Sequence, residues 1–136
     1  TRVRSSAASD VYKRQLRESP VVQREVALAE AKLAAARGLL IQTLKEIYAD
    51  LGSADALTLD QRMRIRMAAT FATHQAKEVV DVAYHEAGAT AIFEANPFER
   101  RFRDINTVTQ QVQAHSVHFE TVGAHLLGLS PPLRFI

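Results

Sequence analysis

Apolar residues at Val22, Val26, Ala29, Leu33, Ala36, Leu40, Leu44, Ile47 and Leu51 are separated by threes and fours throughout. That spacing lays one unbroken apolar stripe along a single helix. Ser19-Pro20 supplies its start, an N-cap hydroxyl followed by proline at the first helical position, and Gly52 its stop. A helix of this length spans roughly 45 Å, which suits an elongated bundle better than a compact globule.

After a short linker from Ser53 to Thr58, a second stripe runs through Ile65, Ala68, Ala72, Gln75, Val79 and Ala83. Alanine at these positions permits close helix packing, and Gly88 closes the element. Ala89 to Asn96 reads as a turn segment, and Asn96-Pro97 opens a short helix through Asp104. A last helix is predicted from Ile105, Val108, Val112, His115, Phe119, Val122 and Leu126, terminated by Gly128 and Pro131-Pro132. The pattern predicts an all-α, up-down helical bundle with three long amphipathic helices. It is about one helix short, at the N-terminus, of the four-helix form, although a three-helix bundle stays open.

Residues 1–15, TRVRSSAASDVYKRQ, follow neither helical nor strand periodicity. They are read as a non-native, disordered leader resembling translated adapter sequence, which leaves 16–136 as a partial helical domain cut near Leu16. Arg2, Arg4, Lys13 and Arg14 against Asp10 give this segment +3. The formal net charge of +2 therefore leaves −1 for the rest. The basic balance is thus a weak argument for nucleic acid, and no nucleic-acid partner is expected. No apolar run approaches a membrane span, and the absence of cysteine excludes disulfides and thiolate metal sites. A cytoplasmic location is the expectation.

Candidate chemistry is sparse. His115 and His118 form an H-x-x-H pair, with His125 seven residues further on. No carboxylate precedes a histidine by three, so the di-iron bundle pattern is missing and no metal site is expected. Arg62, Arg64 and Arg66 alternate, which splays them over a wide arc and reads as a solvated face. Arg100, Arg101 and Arg103 are denser and fit either surface charge or the holding of an anionic group. No phosphate loop or nucleophile elbow occurs.

The stretch AYHEAGATAIFEANPFERRFRD, Ala83 to Asp104, resembles a gap-free segment of acyl-CoA dehydrogenase-like flavoproteins. In that family a Q-x-x-G-G-x-G turn leads to a P-x-E-R-x-x-R-D helix, matched here by Pro97, Glu99, Arg100, Arg103 and Asp104. VALAEAKLAAAR, Val26 to Arg37, resembles a further helix of the same family. The resemblance covers Leu16 to about Leu129 and implies a C-terminal four-helix bundle packed against an α-domain and a β-domain, with the flavin between domains. It also implies a homo-oligomer built as a dimer of dimers, in which the glycine turn touches a neighbour's FAD. His85 occupies the turn's Gln position and Gly88 its first Gly, whereas Ala89 and Ala91 replace later glycines. By this resemblance His85, Gly88, Arg100 and Arg103 are the cofactor-binding candidates.

The family's dehydrogenases often carry a catalytic Glu eight residues after the R-D pair, where this chain has Val112, and valine is no base. The sequence through Val108–His115 and the ending Val122-Gly…Leu127-Gly-Leu resemble instead the flavin-dependent monooxygenase branch. Its members take reduced flavin, FAD or FMN, from a separate reductase and hydroxylate aromatic or heterocyclic small molecules. The resemblance implies a pocket-facing catalytic histidine, His118 or His115, with His118 preferred. The alternatives are an acyl-CoA dehydrogenase whose base lies elsewhere, and a helical assembly module without catalysis. This chain alone is expected to be inactive, and the uncovered groove along its first two helices is expected to drive self-association.

Overall fold

The computed structural model describes residues 2–52, 55–134 and 136, with side chains described from Asp10 onward. Two positions of the expected linker, Ser53 and Ala54, lie outside the described residues. The elements are α1 (Arg2–Glu18), α2 (Pro20–Leu51), α3 (Leu59–Ala87), a 3-10 turn (Gly88–Ile92), α4 (Phe98–Gln110) and α5 (Val117–Leu126). Among the described residues there is no strand.

The boundaries of α2 and α3 follow from local chemistry. Pro20 stands in the first turn of α2, and Gly52 ends it at φ +48°. Thr58 and Gln61 form a reciprocal capping box: Gln61 N–H donates to Thr58 Oγ1, and Thr58 N–H donates to Gln61 Oε1. At the other end, Gly88 adopts φ +59° and ψ −144°, a conformation open essentially to glycine alone. A Cβ there would also lie 3.0 Å from the Tyr12 hydroxyl.

Two expectations need correction. The leader, read as disordered, forms helix α1. Alanine, arginine, lysine and glutamine favour helix without needing an apolar stripe, and only Ser19 separates α1 from α2. The single last helix is in fact two pieces: α4 runs straight through Asp104 and Ile105, and the chain then breaks over 111–116. The bundle therefore has two long helices and a third, broken one.

Pairings along the helices set their direction. Lys32 and Glu46 of α2 meet Glu78 and Arg64 of α3, so α2 and α3 are antiparallel. Tyr84 stacks on Phe102 of α4 with centroids 4.4 Å apart, while His74 meets Phe119 and Asp60 meets His125 of α5. The broken third element thus runs back along α3, which is the central helix. The core is built from small residues, Ala36, Ala68, Ala91 and Ala114, with Met63, Ile47 and Val122 as the larger contributors. Small side chains on α2 and α3 let the two helices approach closely.

The predicted stripes are only half covered. Ala36 and Ile47 are buried, but Val26, Leu33 and Leu44 of the same stripe are exposed, as are Ile41 and Tyr48 beside it. On α3 only Ala68 of its stripe is buried. An uncovered face of this size promotes association. The chain is expected to self-associate with rising concentration in sedimentation velocity, and a sharp monomer across the range would contradict this.

The α2–α3 contact also carries a pH dependence. Lys32 beside Glu78, and Gln42 followed by Arg64 beside Glu46, hold both carboxyls below the ordinary glutamate value of 4.5. A depressed folded value means the contribution is present above pH 4.5 and is lost as pH falls through the folded value. Both pairs are solvent-exposed, so the effect is small and salt-sensitive. Stability measured from pH 6 to 3 should fall below about pH 4.5 in wild type, and less so in Glu78→Gln.

Candidate functional site

The break between α4 and α5 is held open from the side. A helix continuing through this region would bond the carbonyls of residues 112, 113 and 114 to N–H groups four residues on. Instead each receives a side chain. His118 Nε2 donates to Val112 O at 2.5 Å, Arg66 to Gln113 O at 2.8 Å, and His74 Nε2 to Ala114 O at 2.9 Å. Gln111 accordingly takes an extended conformation (φ −74°, ψ 148°). These three bonds are why strict helical spacing did not give a continuous helix.

The break forms one wall of a cavity of about 560 Å³. Val112, Val117 and Pro132 give it apolar sides, while His115, His118, Thr121, Gln110 and Arg134 supply its polar groups. Among the described residues, no Asp or Glu belongs to this lining. Cavities of this size and character suit a small molecule with a large apolar part.

The two histidines differ in setting. His118 is 1% exposed and locked by its bond to Val112 O, whereas His115 is exposed. The Val117 N–H donates to His115 Nδ1 at 3.2 Å. These bonds set the roles of one nitrogen in each ring. His118 carries a proton on Nε2, which donates to Val112 O, and His115 accepts at Nδ1, which leaves its proton on Nε2. Both imidazoles belong to the lining of the same cavity.

The residues singled out for cofactor binding are not brought together. Arg100 and Arg103 lie on the outer face of α4 in i,i+4 pairs with Asp104 and Glu99. His85 borders a separate depression beside Glu25, Asp81 and Glu86, whose negative charge is unsuited to a pyrophosphate. Gly88 closes α3 without lining any of the depressions described here. His85 alone of these four lines either depression, and the contact the resemblance implies is with a neighbour's flavin.

The alternating arginines were read as a solvated face, and this too is corrected. All three are partly buried. Arg62 bonds Ile136 O, Arg64 pairs with Glu46, and Arg66 holds the break. Their wide angular spread is what lets one short stretch of α3 reach three neighbours. The role of Arg66 was misread, and His74, Gln110, Thr121 and Arg134 escaped the sequence reading, because these roles arise from contacts across 40 or more residues or from the path of the final segment.

Comparison with known proteins places this geometry. Residues 1–118 match the acyl-CoA dehydrogenase C-terminal domain family, and the chain belongs to it. That match begins at residue 1 and so takes in the segment set aside as a leader. Indole-3-acetate monooxygenase of Pseudomonas putida is 29% identical over 116 residues, 85% of this chain and 30% of that protein. Its counterpart in Acinetobacter baumannii is 32% identical over 112 residues, 82% of this chain and 29% of its own length. The chain thus spans about a third of the curated relatives it matches. Among solved structures, 3-HSA hydroxylase from Rhodococcus sp. RHA1 superposes with TM-score 0.80 at 22% identity, covering 93% of this chain and 34% of that one. The HsaA monooxygenase from M. tuberculosis gives 0.77 at 24%, covering 88% and 32%. These two likenesses establish a shared fold. No described helix is long and apolar enough to cross a membrane.

Proposed function

We propose that this chain is the C-terminal helical domain of a reduced-flavin-dependent monooxygenase that acts on an aromatic or heterocyclic small molecule. The observation that carries this reading is the make-up of the cavity wall. At Val112, where the family resemblance would put a dehydrogenase's glutamate, the chain offers a carbonyl bonded to His118. Among the described residues, the lining holds two imidazoles and no carboxylate. The relation to two indole-3-acetate monooxygenases supports the same branch.

When bound, the reduced flavin, FAD or FMN, supplies the electrons that activate dioxygen. The chain's own residues do the rest. Val112, Val117 and Pro132 exclude water and hold the ring; His118 Nδ1 accepts a proton from a substrate hydroxyl or N–H, and His115 Nε2–H donates to developing negative charge. The proposal includes a homo-oligomer arranged as a dimer of dimers, a partner flavin reductase and a cytoplasmic location.

The test is to express the gene at the length of its relatives and supply reduced flavin, labelled dioxygen and indole-3-acetate, the compound named for the relatives. One labelled oxygen atom in the product is expected. Oxidation without incorporated label, or a 2,3-desaturated acyl thioester formed from an acyl-CoA instead, would defeat the reading.

A further inference from the structure

No local signal stops a helix between α4 and α5. From Ile105 to Val122 the chain holds neither glycine nor proline, and Val108, Val112, His115, Phe119 and Val122 keep helical spacing across the break. α4 ends at Gln111 and not at a glycine. Ser116, ahead of α5, makes no side-chain cap, and its own backbone is already helical (φ −60°, ψ −18°). The turns within the break run from Gln111 N–H to Val108 O, Ala114 N–H to Gln111 O and His118 N–H to His115 O. Each spans three residues, a tighter relative of the α-helical bond. Val108, Val112 and Phe119 of the stripe stay exposed in this form. Local chemistry therefore favours one helix where tertiary contacts impose a break, a conflict between levels that marks a functional segment.

We infer that 111–116 is a two-state element, broken or helical, and that Arg66 and His74 are the latch that selects the broken state. A helix would bond the carbonyls of Val112, Gln113 and Ala114 to the N–H groups of Ser116, Val117 and His118. Arg66 occupies Gln113 O at 2.8 Å and His74 occupies Ala114 O at 2.9 Å, both from α3. The third carbonyl, Val112 O, is held by His118, which belongs to α5 and moves with the segment. In the helical state Val112 O passes to the Ser116 N–H, and the His118 ring loses its bond. The wall formed by Val112, His115, Val117 and His118 goes with it. Two positioning residues on α3, neither of them in the cavity's lining, thus decide whether the cavity exists. The inference concerns the backbone and is independent of the reaction proposed above.

Hydrogen exchange read by mass spectrometry on the 136-residue chain tests it. In the double variant Arg66→Met, His74→Phe both α3 donors are gone, while phenylalanine keeps a ring beside Phe119. The freed carbonyls then take up the amides of residues 116–118, which should exchange at least about tenfold more slowly than in the parent. Side chains that merely braced the segment would give the opposite sign, because their loss would loosen it and speed exchange. Arg66→Met with His74→Gln, which restores one donor, should lie nearer the parent. Faster or unchanged exchange at 116–118 in the double variant, with the α2 peptides unaltered, would overturn the inference. Should the double variant unfold, seen as fast exchange throughout α2, the single variants decide. Each should slow the same amides part of the way, and unchanged or faster exchange in both would overturn it equally.

Discussion

Replacing His118 by alanine in the relative-length protein should cut product formation by about 10²-fold or more while oxygen is still consumed. Two losses combine in this variant. The acceptor on the cavity wall disappears, and the Val112 carbonyl loses the donor that helps keep 111–116 out of helical form. His118→Gln separates them: its amide still donates to a carbonyl, but it has no basic nitrogen. That variant should recover thermal stability and not turnover. Product yield per oxygen consumed, measured beside the melting temperature, checks both. Unchanged coupling in His118→Ala would remove His118 from the proposed chemistry and shift attention to His115.

The second large effect falls on the fold. Met63→Ala should destabilise the chain by about 2–5 kcal/mol, visible as a lowered urea midpoint. Met63 is 1% exposed and is among the largest fully buried side chains, in a core otherwise rich in alanine. Few neighbours are large enough to collapse into the space it leaves. Domains of this kind hold roughly 5–15 kcal/mol in total, so one such loss is a large share. Met63→Leu, which nearly conserves volume, should cost less than about 1.5 kcal/mol. A Met63→Ala midpoint equal to the parent's would mean that α3 does not bury this face.

Arg66 and His74 reach the break from α3, each through a hydrogen bond to a backbone carbonyl, and the His74 ring also meets Phe119. They orient the wall that carries the two histidines and do not themselves belong to the cavity's lining. The α4–α5 break is thus a built feature, held by side chains from α3 and α5 as well as by its own backbone turns.

Much of this was readable in the sequence by itself. The limits of α2 and α3 follow from Ser19-Pro20, Gly52, Thr58 and Gly88, because caps, proline and positive-φ glycine act over a few residues and need no tertiary partner. The helical class followed from the spacing of apolar positions, and the family from the Pro97–Asp104 motif. The histidine pair was visible as well, and His118 was preferred. Only the tertiary structure decided that His118 is buried and His115 exposed, that the last helix breaks at Gln111, and that Arg66 and His74 hold it open. It also placed Arg100 and Arg103 in i,i+4 pairs on α4 and His85 beside a separate depression. The reason is range: periodicity records which face of a helix is apolar, but carbonyl partners supplied from 40 or more residues away leave no local trace.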